Sequence, residues 1–122
     1  MKFLLTSGGI QNKSLEQALL DLTERPFSEL NIAVIPTAIN PSAGNKDWYI
    51  QDLVKCQELG FKQVDVVDIS ALPKTKWLPR LEEADVFYVE GGDTYHLMYW
   101  VNKSGLKDLL PEMLKTKIYI GN

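Results

Sequence analysis

The chain is 122 residues long, 45% hydrophobic and 24% charged, which is enough apolar material to bury a core and too much for a disordered tail. Its 13 Lys and Arg against 16 Asp and Glu leave a net charge of −3, well mixed along the sequence, so no basic stripe marks it for nucleic acid or an anionic membrane. The N-terminal apolar stretch Phe3-Leu4-Leu5 is too short for a signal peptide, no run approaches the roughly 20 residues of a membrane span, and the single Cys56 excludes an internal disulfide; a cytoplasmic chain is expected.

Lys2 to Thr6 predicts a strand. Ser14 to Arg25 then predicts a helix, with Ser14 as N-cap, Glu16 and Gln17 in the first turn, and Leu15, Ala18, Leu19 and Leu22 along one face. Asn31 to Thr37 reads as a second, buried strand. Asn45 to Leu59 carries Tyr49, Ile50, Leu53 and Val54 at helical spacing and closes on Gly60. Val64 to Ile69 is the third strand, followed by a short helix within Lys76 to Ala84 that begins near Pro79, and Asp85 to Glu90 is the fourth strand. Thr94 to Lys103 is helical, and Leu106, Leu109, Leu110, Met113 and Leu114 place a further helix in which Pro111 forces a kink or a new start. Lys117 to Ile120 is the fifth strand.

Strands that alternate with helices and read as continuous apolar runs indicate an α/β fold, a three-layer α/β/α arrangement around a mostly parallel sheet. No linker or repeat divides residues 1–122, so one domain is expected. Ligands of such sheets bind beyond the carboxyl ends of the strands, which directs attention to Ser7–Asn12, Pro36–Asn45, Ser70–Lys74, Glu90–Thr94 and Gly121-Asn122.

Gly91-Gly92 lies between a strand and a helix, where absent side chains and the helix N-terminus suit an oxyanion or phosphate; a tight turn needing positive φ explains the same pair. Ser7-Gly8-Gly9 is the weaker case, and neither matches a nucleotide fingerprint. His96 falls near the expected site, but with no nucleophile beside it reads better as a partly exposed helix residue than as a base. Cys56 reads as a small buried apolar residue, and Trp48, Trp77 and Trp100 as packing or partly exposed residues. Glu90 and Asp93 read as a solvated carboxylate pair rather than a metal site, and no cofactor is indicated.

The run Phe87-Tyr88-Val89-Glu90-Gly91-Gly92-Asp93-Thr94-Tyr95, with Ile35-Pro36-Thr37-Ala38 upstream and Ile118-Tyr119-Ile120-Gly121-Asn122 downstream, resembles peptidase family S51, the serine peptidases that include dipeptidase E and cyanophycinase. The resemblance covers the whole chain in order. It implies a fold like that of class I glutamine amidotransferases, an oxyanion and substrate-binding role for Gly91, Gly92 and Asp93, and small peptides with N-terminal aspartate, or aspartate-containing polymers, as substrates. In the family the last strand leads into Gly-x-Ser-Ala-Gly, whose Ser is the nucleophile; Gly121 and Asn122 match the first two positions, and the Ser is expected just after Asn122. The resemblance thus implies the N-terminal portion of a serine dipeptidase, inactive by itself, with no catalytic residue of its own and with self-association or a C-terminal companion fragment as its partner. The alternative is a non-enzymatic flavodoxin-like module that binds a small anion or another protein.

Overall fold

The computed structural model describes residues 1–122. Five strands, β1 (Lys2–Leu5), β2 (Asn31–Ile35), β3 (Gln63–Val66), β4 (Val86–Val89) and β5 (Ile118–Gly121), form one sheet in the order β1-β5-β4-β2-β3. Every pairing is parallel, with Val34 opposite Tyr88 and Val89 opposite Gly121 in the central registers. The family-like α/β architecture expected above is therefore present, and the sheet is wholly parallel.

Helices α1 (Lys13–Thr23) and α2 (Asp47–Glu58) cover one face, where Leu19 and Cys56 pack on Ile32, Val34, Val86, Tyr88, Ile118 and Ile120. Helices α3 (Lys74–Glu83), α4 (Thr94–Lys103) and α5 (Leu106–Met113) cover the other, with Trp77, Leu81 and Leu106 against Ala33, Ile35, Phe87 and Val89. Strand β4 is buried on both faces, which is why it reads as an unbroken apolar run. The chain leaves β2 towards α2 on one face and leaves β4 towards α4 on the other. These neighbouring strands therefore diverge at their carboxyl ends and open a crevice there.

Several boundaries differ from the sequence expectation. The N-cap of α1 is Asn12, whose Oδ1 accepts the Leu15 N–H at 3.0 Å, while Ser14 already lies inside the helix. Helix α3 begins at Lys74 and carries Pro79 in its interior, because burial of Trp77 and Leu81 and the Arg80–Asp65 ion pair hold a helix that the proline alone would have started later. Strand β3 ends at Val66; Val67 still donates to Val34 O at 2.8 Å, but Asp68 turns the chain by accepting from Ala71 and Leu72. Pro111 sits within α5, and the break from α4 falls instead at Gly105, which has φ +88°. No helix is long and apolar enough to cross a membrane.

Candidate active site at the strand carboxyl ends

Three backbones converge where β2, β4 and β5 end. Glu90 remains in the sheet through its N–H to Ile35 O at 3.1 Å; the chain then turns at Gly91-Gly92, and the Asp93 N–H returns to Ala38 O at 2.8 Å. Gly92 takes φ +148°, and a Cβ there would collide with the Ala38 carbonyl. A Cβ on Gly91 would lie 2.6 Å from Asn122 O. Glycine is thus required at both positions for this approach. The N–H groups of Gly91 and Gly92 donate to no other group of the protein. Asp93 accepts the His96 N–H at 2.9 Å as N-cap of α4, which aligns the helix dipole with the turn. A cavity of about 290 Å³ beside the turn is lined by Thr6, Glu90, Gly91, Gly92, Thr94 and Asn122 among others.

The loop after β1 closes the other side. Gly8 N–H donates to Asn122 Oδ1 at 2.8 Å and Gly9 N–H to Thr6 Oγ1 at 3.1 Å. Gly9 is buried at φ +84°, where a Cβ would strike the Tyr88 hydroxyl and lie 2.9 Å from Asp52 Oδ1. A larger cleft, about 690 Å³, runs from this loop along α2 past Gln11, Trp48, Asp52, Lys55 and Glu58.

The β2 side is held by Asp68. Its carboxylate accepts from Thr37 Oγ1 at 2.9 Å, Asn40 Nδ2 at 2.8 Å, Ser70 N at 2.9 Å and Ser70 Oγ at 2.6 Å. Burial works to raise its pKa, but the hydrogen bonds from Ser70, Asn40 and Thr37 outweigh it and hold the carboxyl below its ordinary value. Asp68 thereby fixes the Pro36–Asn40 segment whose Ala38 carbonyl receives Asp93.

Glu90 and Asp93 are not the solvated pair expected from the sequence. Glu90 is 1% exposed and faces Asp52 and Asn122, whereas Asp93 caps α4. Burial, then the neighbouring Asp52, pushes Glu90 up to about 9, and burial also raises Asp52. The sequence reading missed Asp52. Its signal was an acidic residue on the inner face of α2, one turn before Cys56, just as Glu90 was the one charge closing an apolar strand.

The His96 ring forms no hydrogen bond, and its Nε2 is buried without a partner, so no hydroxyl or thiol of these 122 residues is activated by it. Cys56 is buried in the core, and burial pushes its thiol up to about 12. It is therefore inert. Trp77 is buried, Trp48 is 42% exposed and Trp100 lies between them.

A profile of Peptidase family S51 matches residues 3–122 of the chain. Among solved structures, a candidate peptidase E protein from Listeria monocytogenes is similar with a TM-score of 0.80 and 23% identity, over 98% of this chain and 57% of that one. A peptidase from an acI-B1 Actinobacterium is similar with a TM-score of 0.73 and 16% identity, over 98% of this chain and 52% of that one. At these identities the structural likeness is one of fold, and this chain spans a little over half the length of either. No curated protein sequence matches it significantly.

Proposed function

The chain belongs to peptidase family S51, and on that premise we propose that its carboxyl-end crevice is the oxyanion side of a serine-type peptide hydrolase, a dipeptidase acting on small peptides with N-terminal aspartate. The observation that carries this reading is the pair of undonated N–H groups of Gly91 and Gly92, set beside the backbone leaving β5 at Asn122. Attack of a hydroxyl on a peptide carbonyl concentrates negative charge on the carbonyl oxygen. Fixed N–H donors at a helix N-terminus stabilise that charge without reorganising during the reaction. Asp93 contributes by anchoring the turn to α4 and, through Ala38, to β2.

The nucleophile belongs to the position after Asn122, so we expect no covalent step from the 122 residues alone: no serine in them meets the His96 ring, the Ser70 hydroxyl is spent on the structural Asp68 carboxylate, and Cys56 stays protonated. The unpaired edge of β1, where Met1, Phe3 and Leu5 are exposed, suits a second copy or a C-terminal companion chain. The lone thiol suits the cytoplasm.

Titrating the ¹⁵N-labelled chain with an aspartyl dipeptide tests the assignment. The Gly91 and Gly92 amide resonances should move saturably, and Gly92→Val should abolish the movement. Saturable shifts confined to amides elsewhere would remove these glycines from the site. Binding at these amides with no hydrolysis after a serine-bearing continuation is supplied would favour an anion-binding module.

A further inference from the structure

Glu90 and Asp52 meet between β4 and α2 with no cation to balance them. Asn122 Nδ2 spans the two, 3.1 Å from Glu90 Oε2 and 3.4 Å from Asp52 Oδ2, while Asn122 Oδ1 accepts the Gly8 N–H at 2.8 Å. The nearby ammonium of Lys55 is committed to Glu16 at 2.5 Å. The other titratable groups facing the pair are Tyr49 and Cys56 from α2 and Tyr88 from β4, whose hydroxyl hydrogen-bonds Asp52, none of them positive; Glu58 lines the same cleft, and the β1–α1 loop presents the uncharged Gly8, Gly9, Ile10 and Gln11. Two ionised carboxylates in contact in such surroundings repel strongly and lose their hydration, so one of them must be neutral. Glu90 Oε1 is buried with no donor. A proton held between it and Asp52 supplies what is missing.

We propose that Glu90 and Asp52 share one proton and, through the Asn122 amide, clamp the backbone leaving β5 to the loop after β1. Neutral Glu90 donates to Asp52, and the two hydrogens of Asn122 Nδ2 serve the remaining oxygens. Both carboxyls are positioning residues: they set where the β5 exit stands relative to the Gly91-Gly92 turn and touch no reacting atom. The clamp rests on contacts within the 122 residues, so it stands independently of the hydrolase reading. Loss of the shared proton puts two charges in the buried contact, and their repulsion shifts the Asn122 amide that spans them.

The pH sense follows from the folded state holding the Glu90 proton to about 9, whereas an unfolded glutamate releases it near 4.3. Between those values the folded chain binds more protons than the unfolded one. Stability from this group is therefore full below the unfolded value and declines as pH rises towards the folded one. The unfolding equilibrium constant should rise by up to about tenfold per pH unit across that window, less any opposing titration.

Infrared spectroscopy of the whole chain carrying ¹³C-labelled glutamate tests the shared proton directly. A protonated-carboxyl band sensitive to the label should be present at neutral pH and vanish at alkaline pH, together with a step in the Asn122 side-chain amide resonances. Glu90→Gln mimics the neutral acid: it should remove the band, keep the Asn122 amide in its neutral-pH position and abolish the step. Absence of the band in the unmodified chain at neutral pH overturns the proposal. So does an alkaline step in Asn122 that survives in Glu90→Gln. If Glu90→Gln fails to fold, the band in the unmodified chain decides by its presence or absence, and Asp52→Asn should shift the pH at which it disappears.

Discussion

At Gly92 the space a side chain would fill is taken by the Ala38 carbonyl, and φ is +148°, so sterics and backbone preference exclude other residues together. Gly92→Val should destabilise the chain by at least about 1–3 kcal/mol from backbone strain alone, read as a shift in urea midpoint at unchanged slope. Unaltered stability would show that the turn is looser than described. Asp68 holds the opposite wall. Asp68→Ala strands the buried Thr37 hydroxyl, and a buried unpaired group costs about 1–3 kcal/mol. Because hydrogen bonding lowers the folded pKa of Asp68, its contribution is complete above the unfolded value of about 3.9 and is lost as the pH falls through the lower folded value. Acid unfolding of the parent should therefore be steeper than that of Asp68→Asn, whose amide does not titrate.

The elements differ in how far the sequence reveals them. Strands β2 and β4 were legible because both their faces are buried, leaving runs such as Val86-Phe87-Tyr88-Val89 with no polar interruption. Helix α3 was not. Its mean composition is polar, and Pro79 pointed to a start five residues too late; the buried Trp77 and Leu81 that fix it are only two residues in ten. Trp77→Ala should thus cost about 3–5 kcal/mol, as expected for a fully buried aromatic, and should melt α3 first in hydrogen exchange. A small loss with α3 protection intact would contradict that dependence. At the site, the glycine turn was visible as Gly91-Gly92. The carboxyl pair was hidden because Asp52 and Glu90 lie 38 positions apart and are joined only when α2 crosses β4.

For the whole molecule, sheet geometry sets the associations available. Strand β1 is an edge whose Phe3 (47%) and Leu5 (73%) are exposed, as is Met1 (68%) just before it, next to an apolar groove of about 370 Å³ lined by Leu97, Met98, Val101, Leu110 and Tyr119 among others. An open apolar edge of this kind offers a template on which another chain can pair. Light scattering at tens of micromolar, of the order at which exposed surfaces associate, should report species larger than a monomer, and Leu5→Lys should shift them towards monomer. A monodisperse monomer before substitution would mean that the edge is adequately protected as it stands. Hydrolysis of aspartyl dipeptides, compared between the 122 residues alone and the same chain continued through a Ser-Ala-Gly sequence and the remainder of a family member, tests the functional reading most directly. The account predicts no turnover above background from the first, and turnover from the second that Gly92→Val lowers by about 10²–10³-fold, the usual effect of losing one oxyanion donor; turnover by the 122 residues that disappears on replacing Ser7 or Ser42, or a continued chain indifferent to Gly92→Val, would contradict it.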